Sequence, residues 1–322
     1  MFWENLSQIN FIFQSLGEWL YYPMRFLSYL GDEEFYLFIM PAIFWCVDSA
    51  LGLRLGMILM LSNGINGIFK FLFHGPRPFW VNEKITAYVK ETSFGVPSGH
   101  SQNAVVIWGY FATLFQKKWV KVLFVLIFIL IGISRLYLGA HFIVDVLVGW
   151  LLGALVLFLF IYIEKKYEDT ILAWSKSKKI WMSILVSIFM IVLAFIFKFA
   201  NNNWQFPAVY LENITRAFNG DAGNPYSIDG VITASAAWLG IIIGAIQISN
   251  TVPLGKITSP LGKKTLRFVI GLLGVILFWA GLKLVFPADI PVLSEILRFI
   301  RYFLIGFWIS AGAPYLFKRF NI

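Results

Sequence analysis

Charge is scarce in this sequence. Of its 322 residues only 13% are charged, against roughly 25% in a soluble globular domain. By contrast, 59% are hydrophobic and 18% aromatic. That shortage excludes an ordinary soluble enzyme and points to a chain whose main solvent is lipid. Cysteine is nearly missing as well. Cys46 stands alone, so no internal disulfide can form and the redox compartment stays open. No basic segment precedes Glu4, so no secretory signal is expected. Neither an internal repeat nor a low-complexity run is present.

Long apolar runs fill the space left by charge. A helix that crosses a bilayer needs about 20 mostly apolar residues. About nine stretches qualify: 34–51, 53–73, 100–116, 119–138, 142–163, 180–199, 229–249, 267–286 and 297–316. The expected fold is therefore all-α, a polytopic bundle of transmembrane helices. Residues 1–33 are too polar to span, and their aromatic, amphipathic stretch EWLYYPMRFLSYL is expected to lie along the membrane interface. Segments 79–97 and 201–228 read as ordered surface loops.

Counting charge by side orients the bundle. The turns joining spans one to two, three to four, five to six and seven to eight share a face with the C-terminus. That face carries 15 basic residues against four acidic ones, and the opposite face carries 11 against 13. The positive-inside rule puts the basic face in the cytoplasm, with the N-terminus out and the C-terminus in. The net charge of +9 then reports topology and calls for no nucleic-acid partner.

The chain holds only three histidines, His74, His100 and His141. All three fall in polar segments at the outward ends of spans two to five: KFLFHGPRPFW, VPSGHSQN and SRLYLGAHFIVD. Charged groups in a membrane are costly and mark function. Lys70, Arg77 and Arg135 would make a pocket for a multiply charged anion, with arginine forks suited to phosphate oxygens. Ser98 and Gly99 open a helix, where backbone N–H groups bind anions readily. His141 and Asp145 are four residues apart and share a helix face. Such an aspartate can accept one ring N–H and leave the other nitrogen to attack. His100 is a second imidazole, suited to protonating a leaving oxygen. The histidines are scattered, no His-Cys cluster occurs, and the cations would repel a divalent ion, so no metal or cofactor is expected. The inventory points to phosphoryl transfer through a phosphohistidine.

These residues resemble a known signature. Lys70 to Arg77-Pro78 reads K-x6-RP, Pro97 to His100 reads PSGH, and Ser134-Arg135 with His141 and Asp145 reads SR-x5-H-x3-D. Together they resemble the type 2 phosphatidic acid phosphatase (PAP2) superfamily over about residues 35–163. The resemblance implies a PAP2-type catalytic core and a metal-independent phosphatase. It implies His141 as nucleophile, Asp145 as its orienting group, and His100 as acid toward the leaving group and then base toward water. Lys70, Arg77, Ser98, Gly99 and Arg135 would bind the phosphoryl oxygens. The nine-span plan is similar to that of the glucose-6-phosphatase branch.

The domain plan expected is an interfacial segment at 1–33, a five-span phosphatase core at 34–164, and a four-span extension of unassigned role at 165–322. The substrate expected is a phosphorylated lipid, with phosphatidate, phosphatidylglycerol phosphate or a polyprenyl diphosphate as candidates. A sugar phosphate is the same-chemistry alternative, and a lipid transporter or flippase the alternative of another class. The location expected is a bacterial inner membrane with the site on its outer face; membrane lipid is the surrounding partner, and no protein partner is inferable. Several residues read two ways. Asn63 reads as helix packing, whereas Asn66 could support Lys70. His74, Gln102 and Asn103 could line the site or pack. Trp204, Tyr210, Arg216, Asp221 and Tyr226 lie in an outer loop that could cap it. Asn213 opens a glycosylation sequon, and Asp229 reads as a helix N-cap.

Overall fold

Lipid offers no partners for backbone N–H and C=O groups, so a spanning segment must close those bonds within itself. The computed structural model of the chain answers with helices, and it describes residues 2–201, 203–218, 223–287 and 290–322. In order they are α1 Phe2–Ser15, α2 Tyr21–Tyr29, α3 Glu33–Cys46, α4 Ser49–Phe73, α5 Pro78–Val81, α6 Gly99–Leu114, α7 Lys118–Tyr137 and α8 Ile143–Ala173. They continue with α9 Lys176–Ala200, α10 Ala208–Ala217, α11 Asp229–Ile248, α12 Leu261–Ile276, α13 Leu282–Val285, α14 Pro291–Phe307 and α15 Ala313–Arg319. Among the described residues the only extended pairing is an isolated bridge between Asp48 and Lys256.

Among the described residues six segments are long and apolar enough to cross a membrane: 49–81, 118–137, 143–173, 176–200, 229–248 and 261–285. Of the other three expected spans, α3 and α6 are shorter helices of 14 and 16 residues, whereas the third runs from α14 through a π-helical turn, Trp308–Gly312, directly into α15. The shortness of α6 has a local cause. Its N-terminus is set by the Ser98 cap, and the chain leaves helical conformation at Phe115.

The contacts divide the chain into two compact units that interleave along the sequence. The first comprises 1–33, 65–159 and 193–228, and it holds all three signature segments. Here α6 packs on α7, and α1 and α2 pack on α7. A small-residue stripe on α8 lets α6 approach closely. A side chain at Gly149 would lie 2.6 Å from the Ser98 carbonyl oxygen, and one at Gly153 would lie 2.6 Å from that of Gln102. Such stripes are how helices pack where the hydrophobic effect gives no drive.

The N-terminal helices are amphipathic inside out. In α1 the buried residues are Ser7 and Asn10, and in α2 the buried residue is Ser28. Phe2, Phe11, Ile12, Tyr22 and Phe26 are exposed. The apolar face suits lipid, while the polar face turns into the protein. The segment therefore does more than lie along an interface.

The second unit comprises 34–64, 160–192 and 229–322. Its centre is α11 against α14, where a side chain at Gly306 would lie 2.6 Å from the Ala237 carbonyl oxygen. The Trp45 indole donates to the Ile309 carbonyl at 2.9 Å. Asp229, expected as a cap, forms an ion pair with Arg298 at 2.7 Å.

Candidate active site

The first unit brings the three signature segments to one place. Lys70 ends α4, Arg77 precedes α5, Ser98 caps α6, Arg135 ends α7 and Asp145 lies in the first turn of α8. His141 sits in the turn between α7 and α8. That turn is tightly held: the Ala140 and His141 amides both donate to the Arg135 carbonyl, at 3.1 and 3.3 Å. The Asn10 side chain donates to the Leu136 and His141 carbonyls, each at 2.9 Å.

His141 and Asp145 are buried and meet, with Nδ1 3.2 Å from Asp145 Oδ2. The same carboxylate oxygen accepts the Phe142 amide at 2.9 Å. With the ring proton on Nδ1 facing the carboxylate, Nε2 keeps its lone pair. That nitrogen lies 3.3 Å from Arg77 Nη1, which can donate to it. Burial, joined by the repulsion of Arg77, Arg135, Lys70 and His100, holds the His141 imidazole well below its ordinary pKa. It is therefore neutral and available at physiological pH.

The two arginines converge on one carboxylate, Glu91, which sequence reasoning did not single out. Arg77 Nη2 is 3.3 Å from Glu91 Oε2, and Arg135 Nη2 is ion-paired with Glu91 Oε1. Burial raises the Glu91 pKa, but the charges of Arg77 and Arg135 outweigh it and hold the group far below the carboxylate range. Ser93 was missed too. Its hydroxyl accepts from Lys70 Nζ at 2.6 Å and from Arg77 Nη2 at 3.0 Å, and its carbonyl accepts from Arg77 Nε at 2.6 Å. Arg77 also donates to the Ala140 carbonyl at 2.8 Å. The polar run Glu91-Thr92-Ser93 just before PSGH was the one available signal.

Ser98 has a second task. Its hydroxyl caps α6, accepting from the Ser101 amide at 3.3 Å and the Ser101 hydroxyl at 2.9 Å. Gly99 is the first residue of that helix. His100, one residue on, has its Nε2 2.5 Å from Asp32 Oδ1. Burial raises the Asp32 pKa, but the hydrogen bond and charge of His100, helped by Arg135 and Arg25, outweigh it and leave Asp32 below its ordinary value. Arg135 Nη1 donates to the Ser28 hydroxyl at 2.6 Å. Asp32 and Ser28 both come from the N-terminal segment, where no local pattern marks them.

Other expectations change. Asn66 donates to Gln102 Oε1 at 2.8 Å and faces the Pro97 carbonyl at 3.4 Å. It thus ties α4 to the PSGH segment instead of supporting Lys70. His74 takes positive φ, 47°, and lies among the rings of Phe94, Trp204 and Tyr226, with centroids at 4.7, 5.8 and 5.6 Å. The outer loop therefore packs on the first signature segment through Trp204 and Tyr226. Tyr210 approaches Trp80, and Arg216 pairs with Glu83. Asp221 lies outside the described residues. Asn213 is buried, and its side-chain nitrogen donates to the Trp80 carbonyl at 2.9 Å. The sequon nitrogen is thus committed inside the fold, which argues against glycosylation there. Among the described residues no three His, Cys, Asp or Glu side chains group as they would to hold a metal ion.

The arrangement can do definite chemistry: a neutral imidazole meets a carboxylate on one nitrogen and the Arg77 guanidinium on the other, with a second imidazole near Arg135. Comparison with known proteins agrees in kind. Residues 51–169 match the PAP2 superfamily, and residues 232–322 match the PAP2 superfamily phosphatase transmembrane extension. Phosphatidylglycerophosphatase B of Bacillus subtilis is 32% identical over 154 residues, covering 44% of this chain and 73% of that protein. The chain belongs to the PAP2 superfamily. Sphingosine-1-phosphate phosphatase 1 of Rattus norvegicus is 26% identical over 333 residues, covering 94% of this chain and 73% of that protein. Glucose-6-phosphatase 3 of Homo sapiens is 28% identical and covers 42% of this chain and 46% of that protein. As a PAP2 protein the chain is a membrane-integral phosphatase, a phosphoric ester hydrolase.

Proposed function

We propose that this PAP2 phosphatase hydrolyses a phosphorylated lipid through a phosphohistidine on His141. The observation that carries the assignment is the buried His141 ring, held by Asp145 on one nitrogen and facing Arg77 with the other. The substrate phosphoryl group takes the place of the Glu91 carboxylate between Arg77 and Arg135. Lys70, the Ser98 hydroxyl and the Gly99 amide take further oxygens. The Nε2 lone pair of His141 forms the N–P bond as the P–O bond to the leaving group breaks. His100 gives that oxygen a proton. A water then attacks phosphorus, His100 takes its proton, and the N–P bond breaks to release phosphate. Asp145 stabilises the charge that His141 gains.

A lipid is favoured over a sugar phosphate by the relatives. The sphingosine-1-phosphate phosphatase aligns with nearly the whole chain, including the C-terminal extension, whereas the glucose-6-phosphatase aligns with less than half. Phosphatidate, phosphatidylglycerol phosphate and polyprenyl diphosphate remain the head groups to compare. In contrast to a transporter reading, these relatives are phosphatases. By the charge count the site opens to the outer face, with the N-terminus out and the C-terminus in. In functional terms residues 34–164 supply the five-span core and residues 165–322 an extension, with the 1–33 segment contributing Ser28 and Asp32.

The test is phosphate release by purified protein in detergent, with a chelator present, from a panel of these lipids and sugar phosphates. Activity should persist under chelation and be highest on a lipid. His141→Ala should lower it about a thousandfold or more. Survival of activity in that variant, or its loss on chelation, would sink the mechanism.

A further inference from the structure

His100 closes the PSGH segment and lies in the first turn of α6. Here its Nε2 lies 2.5 Å from Asp32 Oδ1, and both side chains are about a fifth exposed, 19% and 18%. Asp32 lies outside the stretch matched to the superfamily, which begins at residue 51. We infer that Asp32 is a positioning residue that acts through His100, turning the proton-bearing nitrogen of that ring toward the leaving oxygen. The inference rests on the proposed role of His100 as acid.

Several features aim this carboxylate. The turn after α2 closes with Gly31 N–H donating to the Ser28 carbonyl at 2.8 Å and Asp32 N–H to that of Tyr29 at 3.0 Å. A side chain at Gly31 would meet Ile131 Cγ2 at 3.0 Å and His100 Cδ2 at 3.3 Å. Glycine therefore lets the turn lie directly against the imidazole. The same α2 is tied to α7 through Ser28, which accepts from Arg135 at 2.6 Å. One short segment thus seats a phosphate-site arginine and the acid histidine together.

The chemistry follows from which nitrogen is engaged. When the ring is an imidazolium, Nε2–H is donated to Asp32 and Nδ1–H is left for transfer. As the P–O bond breaks, the Nδ1 proton passes to the leaving oxygen, and Nε2–H stays bonded to Asp32. In the second step Nδ1 takes the proton of the attacking water. The carboxylate balances the imidazolium before transfer and fixes the ring's orientation throughout. His141 uses its aspartate in the opposite sense, from Nδ1, to leave Nε2 as nucleophile.

Leaving-group dependence separates this role from a merely structural one. An aryl phosphate with an acidic phenol leaves without a proton, whereas an alkyl phosphate needs one. With Asp32→Asn, kcat/KM should fall about ten- to a hundredfold on an alkyl phosphate and stay within about twofold on p-nitrophenyl phosphate. Asp32→Glu should recover part of the loss with the same bias. Equal loss on both substrates, or no loss on either, overturns the inference. Should Asp32→Asn not accumulate as folded protein, Asp32→Glu alone decides, since a displaced carboxylate must still hurt the alkyl substrate more. A wild type inactive on every phosphate, or an active His141→Ala, would instead overturn the phosphatase mechanism. An inactive His141→Ala together with an unbiased Asp32 variant removes only the role given to Asp32.

Discussion

Two histidines in this site each meet an aspartate, and the chain joins the two pairs by different means. His141 and Asp145 are four residues apart, straddle the start of α8, and are buried. His100 and Asp32 are 68 residues apart and meet because α2 packs on α7. His141 lies in the turn before α8 and Asp145 in its first turn, so the first pair is closed by one short stretch of chain, with the Phe142 amide donating to the same Asp145 oxygen. The second exists only when the N-terminal segment is docked. The local pair suits the nucleophile's role proposed for His141, whose lone pair must be ready in every molecule. The remote pair makes the proton donor proposed at His100 depend on tertiary packing.

Breaking the local pair should have the largest effect. Asp145→Asn leaves the shape of the site but removes the acceptor that keeps the His141 proton on Nδ1. We expect kcat/KM to fall about a hundred- to ten-thousandfold, the scale seen when a histidine loses its orienting carboxylate. The loss should be the same on alkyl and aryl phosphates, because attack itself is impaired. A bias toward alkyl substrates would contradict the separation of roles.

A smaller effect should follow from loosening the remote pair without touching either partner. Gly31→Val forces the turn away from Ile131 and His100. It should cost about tenfold on an alkyl phosphate and little on an aryl phosphate, with folding retained as judged by thermal unfolding in detergent. An equal loss on both would mean that the turn supports the fold and not the acid.

The smallest effect concerns stability at acid pH. Asp32 and Glu91 are both held below the ordinary carboxylate range, by His100 and by the two arginines. A depressed carboxylate contributes stability that is complete above the unfolded pKa, about 4, and is lost as pH falls through the folded value. Unfolding temperature should therefore drop as pH is lowered below about 4, and the drop should be shallower in Asp32→Asn. Parallel curves for the variant and the wild type would remove Asp32 from this account.

Much of the fold was legible because lipid imposes one rule on the whole chain: apolar runs become helices. The length of each helix was less legible, since a cap such as Ser98 starts α6 by a local hydrogen bond that hydropathy does not register. The site was legible where residues lie close in sequence, as with His141 and Asp145, and where polar segments carrying Lys70, Arg77, Ser98 and Arg135 interrupt apolar runs. Glu91 and Ser93 were overlooked because a carboxylate inside an anion pocket runs against the simple count of cations. Ser28, Asn10 and Asp32 were overlooked because α1 and α2 turn their polar faces inward. An amphipathic pattern alone does not say which face meets protein when the surroundings are lipid. Asn213 shows the converse: a sequon reads as accessible until Trp80 is found to accept its side-chain N–H.

By itself, then, the sequence determined a helical membrane protein of the PAP2 kind, with a histidine and an aspartate four residues apart at one seam between apolar runs. Those properties depend on composition and on separations of a few residues. Only the tertiary structure decided that Glu91 lies across Arg77 and Arg135, and that Asp32 meets His100. Contacts between distant segments depend on how whole helices dock, and no local period records that choice.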